Sequence, residues 1–207
     1  YDVVILAFVL MDNHLHFILY GSFDECNRFM HEYVRRLSWS ISRRHGDRRK
    51  MDPVNISHQA VEDATYLKTV ICYTIKNPPV AGIGFHALDY PWSSGALYFR
   101  KTGIWTSPFW TEDDAVVPER LTGRNRVKVL KYTPDDGSSV RMMGPLIFPG
   151  EYVAYETVEK LFRTCRSFHY FFCRAKEESV DARGGMISHL SLPMQEMRQN
   201  KNDVCQE

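Results

Sequence analysis

The first twenty residues are dominated by aliphatic and aromatic side chains, interrupted around Met11-Asp12-Asn13. The apolar run Val3 to Met11 spans nine residues, far short of the roughly 20 that a membrane span needs, and it predicts a buried strand. The polar break allows two strands or one strand bent there, with His14 to Leu19 extended. Gly21-Ser22 ends this pattern. Beyond it Phe29, Tyr33, Leu37 and Ile41 recur every four residues. That stripe predicts a helix to about His45, capped by Ser22 or Asp24. Arg28, Arg35, Arg36, Arg43 and Arg44 recur at seven- and eight-residue steps and give the helix a second, basic face.

Residues 45–60 carry Gly46, Pro53 and Asn55 and read as a loop. A second helix is expected from about Val61 to Lys76, ended by Pro78-Pro79, which supply no backbone N–H and disfavour helix before them. Ala81 to Arg100 looks irregular. From Lys101 to Pro149 the signals are weak, with one short helix candidate at Pro118 to Lys131. Glu151 to about Ala182 reads as a helix or helix pair, because Val158, Phe162, Cys165, Phe168 and Phe172 keep roughly helical spacing. Pro193 to Glu207 is polar and helix-prone. These elements predict an α+β fold, with an antiparallel sheet, helices packed on it and a mainly helical C-terminal extension. The expected divisions are 1–100 as one domain, 101–148 as an irregular linker and 149–207 as a helical accessory region. The chain starts without Met, almost immediately in a strand, and ends in a polar helical stretch. It therefore reads as a fragment lacking at least one N-terminal element.

Composition adds limits. Of 207 residues, 44% are hydrophobic and 25% charged, enough for a packed core. A formal net charge of +1 points to no partner by itself. Locally, eight Lys or Arg face two acids between Arg28 and Lys50, a basic patch in a nearly neutral chain. The five cysteines are odd in number and form no CxxC pair, which argues against a zinc ribbon or a disulfide framework and for reduced thiols in the cytoplasm. No charged segment precedes the apolar run, so it is not a signal peptide. No membrane association is expected.

Three residue types carry candidate chemistry. On a strand, residues i and i+2 share a face, so His14 and His16 can present both imidazoles to one cation. On a helix, i and i+4 share a face, so Tyr73 and Asn77 can look toward one point. The amide oxygen of Asn77 suits Mg²⁺ or Mn²⁺. Two imidazoles and one amide oxygen leave positions open for a phosphate oxygen. A tyrosine with a free pKa of about 10 is a poor nucleophile, and becomes useful when a metal polarises the scissile phosphate. Tyr66 lies two turns before Tyr73 on a similar face. Tyr73 is preferred because only it has a ligand-type residue four positions on, and Tyr66 is assigned to packing. His31, His45, His58, His86, His169 and His189 are read as surface or structural, without partners at metal-ligand spacing.

Phe8-Val9-Leu10-Met11-Asp12-Asn13-His14-Leu15-His16-Phe17-Ile18-Leu19 resembles the HUH motif of the REP-associated tyrosine transposases. Tyr66-Leu67, Tyr73-Thr74-Ile75-Lys76-Asn77-Pro78 and Gly82 resemble the nucleophile helix of that family, and Tyr90-Pro91-Trp92-Ser93-Ser94 the segment that follows. The family pattern has one Pro followed by Val, where this chain has Pro78-Pro79-Val80. The resemblance implies a ferredoxin-like HUH nuclease core, truncated here at its N-terminus. It also implies His14 and His16 as metal histidines, Asn77 as third ligand, Tyr73 as nucleophile, and Mg²⁺ or Mn²⁺ as cofactor. The implied activity is nicking and rejoining of single-stranded or hairpin DNA through a 5′-phosphotyrosine, in a bacterial, nucleoid-associated setting. A homodimer is left open.

The basic helix face can track phosphates through Arg28, Arg35, Arg36, Arg43 and Arg44, or can be a solvated face closed by ion pairs. Lys76 can reach the scissile phosphate or favour the tyrosinate. Trp39, Tyr90, Trp92 and Phe99 are either stacking platforms for unpaired bases or core. Two other functions compete. A replication initiator or relaxase commonly uses three histidines or two tyrosines, and Asn77 argues against it. A catalytically dead DNA-binding remnant would keep the fold alone.

Overall fold

The computed structural model describes residues 1–12, 14–45, 56–84, 86–100 and 147–176, with backbone alone at 44–45, 115–116, 142–143 and 146. The fold is α+β. The apolar start of the chain forms an antiparallel hairpin of β1 (Val3–Leu10) and β2 (Leu15–Gly21). The Met11 N–H donates to the His14 carbonyl at 2.8 Å and closes the turn, so the break at Asp12 separates two strands and does not merely bend one. Ala7 pairs with Ile18, Phe8 with Phe17 and Val9 with His16, and the register slips between Ile5 and Ala7. This irregularity disturbs simple alternation, so the neighbours Leu6 and Ala7 both enter the same core cluster.

Helix α1 (Phe23–His45) follows as expected. Ser22 caps it, its Oγ accepting from the Glu25 N–H at 3.3 Å. Phe29 and Tyr33, from the apolar stripe, meet Phe17 at ring-centroid distances of 5.8 and 5.2 Å. This sets α1 against the Phe17 face of the hairpin. The opposite face, with Ala7 and Ile18, packs against Val70, Ile71 and Ile75 of α2 (Ala64–Val80).

The free edge of β1 is closed by segments from far along the chain. The Leu10 N–H donates to the Trp92 carbonyl at 2.8 Å, and the Ser94 N–H donates to the Phe8 carbonyl at 3.0 Å. Farther along the edge, the Ala154 N–H donates to the Ile5 carbonyl at 2.9 Å. Strand β1 therefore has neighbours on both sides and helices nearby, which accounts for its unbroken apolar sequence. Two-residue strands β3 (Ala115–Val116), β4 (Met142–Met143) and β5 (Leu146–Ile147) form a separate antiparallel sheet in the order β3-β4-β5.

The expected C-terminal helix is a pair, α3 (Tyr155–Phe162) and α4 (Cys165–Arg174). Between them Arg163 adopts φ 68° and Thr164 caps α4, its Oγ1 accepting from the Ser167 N–H at 3.1 Å. Phe162 and Phe168 are fully buried in the same cluster as Leu6, Ile71 and Tyr73. Residues 149–176 thus complete the core begun by the first hundred. Removing either ring would cost on the order of 3–5 kcal/mol.

The end of α2 corrects the sequence reading. The helix does not stop before Pro78-Pro79 but runs through both to Val80. The stop is Gly82, at φ 75°. The Ile83 N–H donates to the Pro78 carbonyl at 2.9 Å, and the Gly82 N–H donates to the Pro79 carbonyl at 3.1 Å. This is a Schellman ending, which needs a left-handed residue and so favours glycine. Among the described residues no helix is long and apolar enough to cross a membrane. The helix candidates at Pro118–Lys131 and Pro193–Glu207, and the expected continuation beyond residue 176, lie outside the described residues.

Candidate functional site

His14 and His16 converge at the turn end of the hairpin. Their ring centroids lie 4.9 Å apart with planes at 78°. His16 pairs with Val9, two positions from the Ala7–Ile18 pair, so it shares the face that packs on α2. Both histidines are half-buried, and Nε2 of His16 is closed off from solvent. Ile18, on the same face, packs against the cluster that contains Tyr73.

On α2, Tyr66, Val70, Tyr73 and Asn77 follow one another at helical spacing and form a single stripe. Tyr73 is 7% exposed and belongs to the core. Tyr66 is equally buried, and its hydroxyl accepts from Gln59 Nε2 at 2.9 Å near the start of the helix. That contact fits the packing role expected for it.

Asn77 Nδ2 donates to the carbonyls of Tyr73 and Thr74 at 3.1 and 3.2 Å. In an unbroken helix the Thr74 carbonyl would accept from residue 78, which is proline and has no N–H. The Asn77 amide covers that acceptor, one reason the helix tolerates Pro78. Only the NH₂ end can face two carbonyls, so Oδ1 is the end turned away from them.

Lys76 departs from its expected use. Its Nζ donates to the carbonyls of Phe172 and Ala175 at 3.0 and 2.9 Å and sits 5.4 Å from the Phe172 ring centroid. The ammonium is engaged at the C-terminus of α4. Sequence could not reveal this, because the partners lie 96 and 99 residues away.

The basic face of α1 is laced with ion pairs. Arg28 meets Glu25 at 2.6 Å, while Arg35 and Arg36 both meet Glu32, at 2.7 and 2.6 Å. Hydrogen bonds from Arg35 and then Arg36 hold the Glu32 carboxyl down to about 2. Arg43 lies over Trp39 at 5.3 Å, and the side chain of Arg44 lies outside the described residues. Trp39 and Trp92 are exposed, whereas Tyr90 and Phe99 are buried. Burial, and then the charge of Asp12, push the Tyr90 phenol up to about 12. Its hydroxyl donates to the Leu10 carbonyl at 2.8 Å, so it tethers the hairpin end to the following segment.

Among the described residues no group of three or more His, Cys, Asp or Glu is gathered as a metal site. A cation held by the histidine pair would therefore need amide, water or substrate oxygens to complete its shell. His169 lies at the surface of α4, as expected. Cys173 lies four residues on, with Sγ 3.5 Å from His169 Nε2. No protein-family model, curated protein or solved structure matches the chain.

Proposed function

We propose that this chain is a metal-dependent, single-tyrosine DNA nicking and joining enzyme built on a ferredoxin-like HUH core. The observation that carries the proposal is the convergence of His14 and His16 on the hairpin face whose packing includes Tyr73. His14, His16 and Asn77 Oδ1 would hold the cation; the amide oxygen suits Mg²⁺ or Mn²⁺, and the two imidazoles favour the transition ion of that pair. Such an ion, when bound, draws charge from a non-bridging phosphate oxygen. The Tyr73 oxygen attacks phosphorus, its proton passing to solvent. A Tyr–O–P bond forms, the P–O3′ bond breaks, and the 3′ oxygen leaves as a hydroxyl after taking up a proton. Attack by a 3′-OH reverses the step and rejoins the strand. The substrate is single-stranded or hairpin DNA. Because Tyr73 is buried, the strand must part the contact between hairpin and α2 to reach the phenol.

A second reading is a catalytically dead DNA-binding remnant, favoured by the 7% exposure of Tyr73. The test is incubation with labelled single-stranded hairpin DNA and Mn²⁺, followed by a denaturing gel. Wild type forms a covalent adduct, and EDTA or Tyr73→Phe abolishes it while circular dichroism stays native. An adduct kept by Tyr73→Phe but lost in Tyr66→Phe would reassign the nucleophile. Absence of any adduct across substrates would favour the remnant.

A further inference from the structure

The outer face of α4 differs from the basic face of α1 in how its charges are used. From Arg163 to Lys176 the chain carries four Lys or Arg and no Asp or Glu. On α1, Arg28, Arg35 and Arg36 are tied to Glu25 and Glu32. Among the described residues, Arg166 and Arg174 of α4 meet no carboxylate, and neither does Lys68, which reaches α4 from α2. Arg166, Tyr170 and Arg174 follow one another at four-residue spacing, so they form one exposed stripe about 12 Å long.

The rings on this face are braced. The Arg174 guanidinium lies 5.0 Å from the Tyr170 ring centroid, and Lys68 Nζ lies 5.3 Å from that of Phe171. The two rings meet edge to face at 5.5 Å. Phe171 in turn contacts the buried Phe162 at 5.9 Å. Tyr170 nevertheless remains 53% exposed. A ring held in this way loses little freedom when a flat group stacks on it. The cations beside it can meet negative charges carried by the same partner. Flat rings joined by repeated negative charges describe a nucleic-acid strand with unpaired bases. An anionic bilayer suits the face less. The apolar side of α4, with Phe168, is already buried in the core, so the helix has no apolar face to lay into lipid.

We infer that the Arg166, Tyr170 and Arg174 stripe of α4, with Lys68, is a docking surface for a single nucleic-acid strand. The cations contact phosphates and Tyr170 stacks on an unpaired base. Lys76, next to Asn77 in the chain, ties the Arg174 end of α4 to α2. A strand lying along the stripe therefore leads toward the end of α2 that carries the proposed ligand. The inference deepens the nuclease reading by adding a strand contact outside the histidine site, and it requires neither a cation nor cleavage.

The test uses the full chain and a fluorescently labelled oligo-dT in EDTA, read by anisotropy across a salt series. Wild type should bind. Arg166→Gln and Arg174→Gln should each lower the slope of log affinity against log salt by about 0.7, the share of one phosphate on a single strand. Tyr170→Leu should weaken binding at least about fivefold with an unchanged slope, because it removes stacking and no charge. All three side chains are exposed, so the variants should keep the native circular dichroism spectrum. Tyr73→Phe should bind as wild type does, so a failure of the nuclease chemistry and a failure of this surface are told apart. No binding by wild type, slopes unaltered in both arginine variants, or affinity unaltered in Tyr170→Leu would each overturn the inference. So would binding to phosphatidylserine vesicles, lost in the arginine variants, without binding to the oligonucleotide, which would assign the face to a membrane surface.

Discussion

Replacing Lys76 by Met tests how α2 and α4 are joined. The substitution keeps an unbranched apolar stem against Phe172 and removes the charge with its donors. Lost with them are two hydrogen bonds to the Phe172 and Ala175 carbonyls, at 3.0 and 2.9 Å, and the cation over the Phe172 ring. Hydrogen bonds from a charged group contribute about 1.5–3 kcal/mol each. A cation at a helix C-terminus adds about 0.3–1 kcal/mol, and one over an aromatic face about 0.5–1 kcal/mol. These terms do not add fully, because Lys76 is only half-buried and water can rehydrate carbonyls at a helix end. A net loss of about 2–3 kcal/mol is expected, or about 5–10 °C in Tm for a chain of this size. Urea unfolding should give a lower midpoint with an unchanged slope. A change below about 0.5 kcal/mol, the scale of an ordinary surface substitution, would refute the structural role. Loss of DNA affinity at unchanged stability would instead restore Lys76 to the phosphate contact expected from sequence.

Tyr98→Phe removes a hydroxyl that bonds the Leu6 carbonyl at 2.7 Å and Ser94 Oγ at 2.8 Å in a fully buried site; it should cost about 1–3 kcal/mol in urea unfolding. Burial also pushes the Tyr98 phenol well above its ordinary range, so the folded state keeps a proton that the unfolded state releases near pH 10. The stabilisation is full below that pH and is lost as pH rises toward the folded value. Alkaline titration should therefore show a shallower fall for Tyr98→Phe than for wild type, and identical profiles would contradict this. On α1, Glu32→Gln frees Arg35 and Arg36 from their shared carboxylate. It should tighten single-stranded DNA binding and steepen its salt dependence, whereas Arg35→Ala and Arg43→Ala should each lower that slope by about one unit. Affinity indifferent to all three changes would remove α1 as a DNA surface.

The local parts of this fold were legible because their signals are local. The apolar run from Val3 to Met11 and the polar break after it marked two extended segments, open between a strand pair and one bent strand, and the Phe29 to Ile41 stripe marked α1. Both histidines were expected on one face, and their rings do meet. The end of α2 was not legible from Pro78-Pro79, because proline ends a helix only where nothing else satisfies the carbonyls it strands. Asn77 and Gly82 were present in the sequence, but their combined effect depends on side-chain geometry. The closure of β1 by Trp92 to Ser94, and the anchoring of α4 by Lys76, pair residues some 80 to 100 positions apart. No local periodicity encodes such contacts. The helical segment after residue 149 was legible as helix, but not as part of the first core, because an apolar stripe shows that a face is buried and not what buries it.

In the proposed enzyme, one local arrangement of Asn77 and Tyr73 has to meet both a structural and a chemical demand. The Asn77 amide donates into its own helix and thereby fixes which end of the side chain faces outward. As the proposed ligand, an oxygen oriented in this way would lose little conformational freedom on binding a cation. The same contact fastens Asn77 to the Tyr73 backbone, so the proposed ligand and nucleophile move together with the last turns of α2. Gly82 and Asn77 keep those turns helical despite Pro78-Pro79. The hydroxyl chemistry of Tyr73, however, needs access that its packing against the hairpin denies. Core burial and nucleophilic attack cannot be served by one rigid state. A nuclease role therefore requires substrate binding to offset the loss of the apolar contacts around Tyr73, about 1.5–3 kcal/mol for a buried side chain of this size. Multiple phosphate contacts and base stacking are of that order or larger.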